Sequence, residues 1–295
     1  MDVFGLGQCS LDYIGRIPAW PSPDTKCEFH DMIIQGGGPV ATALVALSRW
    51  GLACHFTGVV GDDPFGHEIS RFLQDEGVDT SGLVERPGHR SQLAFIASEP
   101  GGKRTIFWQR PTGEALKPAE IDFSLLRTSR VLHTDGLFIE AALSAASEAR
   151  RSGVAVIVDA GTLREGMLDL ARLSDYFVVS ESFARDLVSG DNPLAACKRI
   201  LELGPGIAGV TLGARGYVAR FGGRSIAKPA YAVEAIDTTG CGDVFHAGLT
   251  YGFLRGWDPE RSFDLAAWAA AQVATRMGGR AGIPSMAELR DRGCG

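Results

Sequence analysis

Short, unbroken apolar runs alternate with stretches of helical periodicity along most of the chain, and this alternation restricts the fold more than any other feature. The pattern predicts strands over residues 3–7, 53–59, 130–134, 154–159, 176–179 and 207–212. Helices are predicted between them. One opens at Pro39 and stops at Gly51, and another opens at Asp63-Pro64 and stops at Gly77; proline at a first helical position and glycine past the last are the usual punctuation. The runs at 154–159 and 207–212 are apolar throughout rather than alternating, as in strands covered on both faces. The expectation is an α/β fold with a mostly parallel central sheet and helices on both sides.

Two segments, about 12–35 and 90–110, break this rhythm with alternating polar and apolar residues. In the second, the turn Glu99-Pro100-Gly101-Gly102 separates apolar runs at 93–98 and 104–108, which reads as a β-hairpin. Both fit a small antiparallel sheet set into the α/β body, either a cover over a site or a plain surface hairpin. A chain of 295 residues that is 45% hydrophobic can bury one large core, so residues 1–295 are expected to form a single domain.

Composition removes several function classes. Lysine and arginine total 29 against 35 acidic residues, and no basic run exceeds Arg150-Arg151, so nucleic acid is not expected as a partner. No apolar stretch approaches the roughly 18 residues of a membrane span, and the acidic start, Met1-Asp2, lacks the basic region of a secretory signal. Six cysteines without a Cys-x-x-Cys spacing suggest neither zinc nor a disulfide framework, but free thiols in a cytoplasmic protein. Gly5-Leu6-Gly7 holds only two glycines of a dinucleotide-binding fingerprint, and no helical pattern follows it.

The segment 235–248 carries the chemistry. In Asp237-Thr238-Thr239-Gly240-Cys241-Gly242-Asp243 two glycines bracket Cys241 just before a helical pattern over 244–255, and a β-rich stretch (226–235) leads into it. Such a turn lets unpaired amides and the positive end of the helix converge on an anion. Asp243, in the first helical turn, is placed to take a proton from a hydroxyl attacking a phosphoryl group. An isolated Gly-x-Gly-Asp is better explained by a capped helix start; the other motifs decide for the anion site.

This segment closely resembles the Asp-Thr-x-Gly-Ala-Gly-Asp signature of ribokinase-like, or PfkB-type, carbohydrate kinases. Four more motifs follow in the family's order. They are Gly36-Gly37-Gly38-Pro39-Val40-Ala41-Thr42-Ala43, the stretch 58–66, Thr211-Leu212-Gly213-Ala214-Arg215-Gly216, and Gly278-Gly279-Arg280-Ala281-Gly282-Ile283-Pro284. The resemblance implies an ATP-dependent kinase acting on a hydroxyl of a small sugar or keto-sugar, a hexulose or sugar acid. It implies Asp243 as base, and the amides of Gly240, Cys241 and Gly242 as the hole for the transferred phosphoryl group. Mg²⁺ would arrive on the ATP phosphates. Asp12, Gly36, Gly37, Gly38, Ala41 and Arg104 are implied for the sugar; Ser180, Thr211, Gly213, Gly216 and Gly279 for the nucleotide; Asp237, Thr239 and Ser285 for a monovalent cation such as K⁺. The inserted sheet would be a lid through which two chains form a homodimer.

The departures bear on the substrate. Many sugar kinases carry asparagine where Ala41 stands, and alanine offers no side-chain hydrogen bond. The glycine motifs are similar to the ketohexokinase and sulfofructose kinase-like branch, but Leu137 and Trp108 fall where a sulfonate would need polar groups. Ser180-Glu181-Ser182-Phe183 replaces the family's Asn-x-x-Glu, and Cys241 puts a thiol in the anion-hole turn, where its oxidation would block ATP. A nucleoside kinase of the same fold, or a sugar-binding regulatory protein without catalysis, are the alternative readings.

Overall fold

A computed structural model describes all residues, Met1–Gly295. Thirteen strands are formed: β1 (Val3–Leu6), β2 (Ser10–Arg16), β3 (His30–Gly37), β4 (Cys54–Gly61), β5 (Asp79–Arg86), β6 (Leu93–Ser98), β7 (Arg104–Gln109), β8 (Val131–Thr134), β9 (Ala155–Ala160), β10 (Tyr176–Ser180), β11 (Ile207–Thr211), β12 (Tyr217–Phe221) and β13 (Arg224–Lys228). The α-helices are α1 (Pro39–Arg49), α2 (Pro64–Asp75), α3 (Phe123–Arg127), α4 (Ile139–Arg151), α5 (Met167–Arg172), α6 (Glu181–Val188), α7 (Pro193–Leu201), α8 (Cys241–Leu254), α9 (Pro259–Ala274) and α10 (Met286–Asp291).

Nine strands form one sheet in the order β13-β12-β11-β10-β9-β8-β1-β4-β5. From β11 to β5 every pairing is parallel; β12 and β13 add an antiparallel edge. All six strands predicted from apolar runs belong to this sheet. The ribokinase-like α/β architecture is therefore as expected. One core lies where α1, α8 and α9 meet the sheet (Leu44, Phe56, Tyr251, Leu265), the other on the opposite face (Phe4, Leu132, Val156, Phe177, Ile200). The second sheet, β3-β2-β6-β7, contains the expected hairpin β6–β7; β2 and β6 run parallel and join two antiparallel pairs. No helix is long and apolar enough to cross a membrane.

Strand order reverses at β1, which lies between β8 and β4. In open parallel sheets the crevice beyond the strand ends at such a reversal is where ligands bind. Here the Gln8 N–H, just past β1, donates to Asp135 Oδ2, just past β8, at 2.8 Å.

Two local expectations are corrected. The stretch 226–235 is strand only as far as Lys228, because Pro229 has no N–H for the ladder. The helix expected over 244–255 begins at Cys241, because Gly240, at φ +76°, turns the chain into it three residues earlier. The edge strand β5 was not anticipated; its half-exposed, polar sequence shows little apolar signal.

Helix α8 is buried on nearly all sides and crosses α9 at Gly248, where a Cβ would lie 2.5 Å from the Ala266 Cα. Gly248→Val is expected to destabilise the protein by about 3 kcal/mol, as overpacking against backbone does, read as a lowered denaturant midpoint with unchanged slope.

Candidate active site

The turn that opens α8 is fastened from below. Asp237 is wholly buried. Its Oδ1 accepts from the Thr239 N–H (3.0 Å) and hydroxyl (2.8 Å), and its Oδ2 from the Gly278 N–H at 2.9 Å. Gly240 then packs on Gly279 so closely that a Cβ would sit 2.4 Å from the Gly279 Cα. The motifs at 237–243 and 278–284 thus form one unit. The N–H groups of Gly240, Gly242 and Asp243 have no protein acceptor, whereas the Cys241 N–H donates to the Thr238 carbonyl at 3.4 Å. An anion is therefore offered Gly240, Gly242 and Asp243 amides, with Asp243 taking the place expected for Cys241.

The Asp243 carboxylate has no hydrogen-bond partner and lines a cavity of about 630 Å³ beyond the strand ends. Asp135, Asp159 and His246 share its wall. Burial raises the Asp243 carboxyl to about 8; negative charge on Asp159 adds to the rise, and Arg104 opposes it. Both oxygens of Asp135 are engaged, by the Gln8 and Leu137 amides, and burial lifts it to about 6. Asp159 is raised by burial and pulled back by His246.

Asp12, on β2, is 5% exposed and accepts from the Ser10 hydroxyl at 2.6 Å. Burial pushes it up to about 6, against the Ser10 bond and the Arg280 charge. Gly37 faces Asp12, and Gly36 faces the Arg280 guanidinium, 2.7 Å from where a Cβ would lie; Gly38 opens α1 at φ +97°. Arg280 was overlooked, although its motif was visible: it is 5% exposed, its Nε has no partner, and burial lowers it to about 10.

Several expected residues have other occupations. Ala41 is fully buried in α1 and offers no surface to a ligand. Arg104 does not point freely to a phosphate; its Nη1 donates to the Thr238 hydroxyl at 2.6 Å, and that hydroxyl donates to the Gly102 carbonyl. The hairpin tip is thereby tied to the α8 turn. Of the three residues expected at a cation, Ser285 is exposed and caps α10 through Glu288, while Asp237 and Thr239 bind each other. Ser180 lines the cavity but is also the N-cap of α6, accepting from the Phe183 N–H at 3.1 Å. Thr211 lines the same wall. Gly213 and Gly216 flank a short 3₁₀ turn between β11 and β12, off the cavity wall. Glu181 turns away to Arg215 at 2.6 Å. Two further residues were missed, Arg110 and Arg164: both line the cavity and neither pairs with a carboxylate.

A parallel α/β sheet, a partnerless carboxylate in the first turn of a helix at the cavity wall and bare amides beside it define a ribokinase-like phosphotransferase. The chain belongs to the pfkB family of carbohydrate kinases: the family's model, pfkB family carbohydrate kinase, matches residues 2–286. It is 28% identical over 272 residues to a 2-dehydro-3-deoxygluconokinase from Thermoproteus tenax, covering 86% of this chain and 84% of that one. Among solved structures, a ribokinase from Thermotoga maritima superimposes with a TM-score of 0.84 at 23% identity, covering 98% of each chain. An Arabidopsis thaliana ribokinase complexed with ribose and ATP gives 0.82 at 20% identity, over 98% of this chain and 97% of that one. The protein is a carbohydrate kinase, and its relatives are named for phosphoryl transfer to sugars.

Burial also raises the Cys241 thiol, to about 12, which leaves little thiolate to react. This opposes the expectation of an oxidation switch. At neutral pH a disulfide reagent is expected to modify Cys27, on the outer loop, well before Cys241, as mass mapping will show; Cys241→Ala is expected to leave the peroxide response of the enzyme as it was.

Proposed function

We propose that Asp243 is the general base of an ATP-dependent phosphorylation whose acceptor is a small keto-sugar or sugar acid, with the acid favoured. The supporting observation is the Asp243 carboxylate itself, free of partners on a cavity wall, next to three amides with no acceptor. The acceptor O–H gives its proton to Asp243 as its oxygen bonds to the γ-phosphorus. The bond from that phosphorus to the bridging oxygen breaks, and ADP leaves. The Gly240, Gly242 and Asp243 amides hold the charge spread over the phosphoryl oxygens. Mg²⁺ carried by the ATP phosphates would supply neutralising charge there, and Thr211 and Ser180 would line the nucleotide side of the cavity.

Arg110 and Arg164 also line the cavity and pair with no carboxylate. Two unpaired guanidinium groups there suit a carboxylate on the acceptor, and they stand beside Leu137 and Trp108, the residues that spoke against an anionic group. The four-stranded sheet acts as a lid. Its outer face exposes Met32, Ile34, Phe95 and Phe107, with Trp20 stacked on Phe107 and Phe29 on Phe95. A second copy of the chain covering that face makes the homodimer. Six free cysteines suit a reducing cytoplasm.

Asp243→Asn is expected to lower kcat by about 10²- to 10⁴-fold, the usual contribution of a general base, in an ADP-release assay with D-fructose and 2-dehydro-3-deoxy-D-gluconate; near-normal turnover would overturn the assignment. An acid raised to about 8 is mostly protonated, and so inactive as a base, below that pH. In the wild type kcat/KM should therefore rise with pH and level off above about 8. Arg164→Gln is expected to raise the KM of the sugar acid by roughly tenfold and to leave that of D-fructose little changed.

A further inference from the structure

His246 lies one turn after Asp243 on α8, on the wall of the same cavity, and is almost fully buried. Its Nδ1 is 2.8 Å from the Gly242 carbonyl oxygen and 3.3 Å from Asp159 Oδ2; its Nε2 is 3.2 Å from the Val178 carbonyl oxygen. Each of these neighbours accepts hydrogen bonds and donates none. A neutral imidazole carries one donor and one lone pair, so one ring nitrogen would then face a buried carbonyl oxygen with nothing to offer it. With Asp159 ionised, both nitrogens are satisfied together only when both carry protons, and Asp159 then balances that charge.

The other groups around the ring leave this pairing intact. His133, on β8, stands 6.5 Å away ring to ring; its Nδ1 meets the Thr250 hydroxyl, its Nε2 has no partner, and burial drives it down to about 3, so it stays neutral. Asp135, just past β8, has its oxygens taken by two amides. Asp243, on α8, has no partner at all. Asp159, at the end of β9, therefore has one oxygen turned to His246, and its second oxygen receives no hydrogen bond from the protein.

We propose that Asp159, clamped by the doubly protonated ring of His246, is a second acceptor carboxylate of the sugar site, taking a hydrogen bond from a substrate hydroxyl other than the one phosphorylated. The proposal rests on the phosphotransfer reading above and adds a specificity residue, Asp159, and a positioning residue, His246. The two carboxylates are divided by environment: an ion-paired one is a poor base and a good fixed acceptor, while the unpaired Asp243 keeps its affinity for the proton. Without the ring's charge, Asp159, Asp135 and Asp243 would crowd one cavity as three like charges, and Asp159 would take up a proton and stop accepting.

The test combines kinetics with the ring's spectrum. Asp159→Asn is expected to raise the sugar KM by roughly ten- to a hundredfold, by more than it lowers kcat, with the ATP KM little changed. His246→Gln, which donates from one end only, is expected to raise the sugar KM in the same sense. In the wild-type protein labelled with ¹⁵N-histidine, the signal that His246→Gln removes should show both ring nitrogens protonated at pH 7. An unchanged sugar KM in Asp159→Asn, or a neutral-ring spectrum, overturns the proposal. The spectrum needs no Asp159 variant, so it decides the clamp even if Asp159→Asn fails to fold. An active Asp243→Asn would remove the phosphotransfer reading instead, and the spectrum is independent of that result.

Discussion

The carboxylate of Asp237 is the fastening on which the site depends. It has no solvent contact, and its three hydrogen bonds join the turn at 238–239 to the loop at 278. That fixes where Gly240 meets Gly279, hence where α8 starts and which amides are left without acceptors. A helix start is indifferent to what binds it; what makes this one specific is that the chain on each side is pinned before the helix begins. The hairpin tip adds a second pin, because Gly102 and Arg104 both bind the Thr238 hydroxyl.

Around this start the protein gathers carboxylates rather than cations. Asp12, Asp135, Asp159 and Asp243 all have raised proton affinity, chiefly from burial. Such crowding is costly unless each acid has a distinct way of being neutralised. Asp135 has two amides, Asp12 a serine hydroxyl and the distant charge of Arg280, and Asp159 a histidine. Asp243 has nothing from the protein, and that isolation raises its appetite for a proton.

The sheet was readable because its strands are continuous apolar runs, and the start of α8 because Gly-Cys-Gly-Asp has few conformational options. Sequence spacing also picked out Asp243, which the fold sets on the cavity wall, and Asp12, which faces Gly37 on the neighbouring strand. Less visible were residues whose role depends on contacts distant in sequence. Arg104 was recognised as a hairpin arginine, yet its partner, Thr238, lies 134 residues away. Ser285 looked like a ligand but is a helix cap, a use visible locally in Glu288 three residues later. Arg110, Arg164 and Arg280 gave no periodic signal; only the folded chain shows that two of them face a cavity and the third is buried beneath the glycine strand.

The departures from the family pattern fit together on this view. Ala41 belongs to the core between α1 and the sheet, and Phe183 packs edge-on against Phe177 at 5.7 Å, so both positions serve packing rather than a ligand. A pocket that gives up a polar side chain at 41 has to recognise its sugar from elsewhere, because hydroxyl groups left without partners on binding weaken it. Among the remaining polar groups of the cavity, three lie at the ends of β8 and β9 and in the loop after β9: Asp135, Asp159 and Arg164. Of these only Asp159 has an acceptor oxygen and Arg164 donors not already bound within the protein. In the function proposed, recognition moves from the glycine strand and α1 to the ends of the central parallel strands, on the same cavity wall as Asp243.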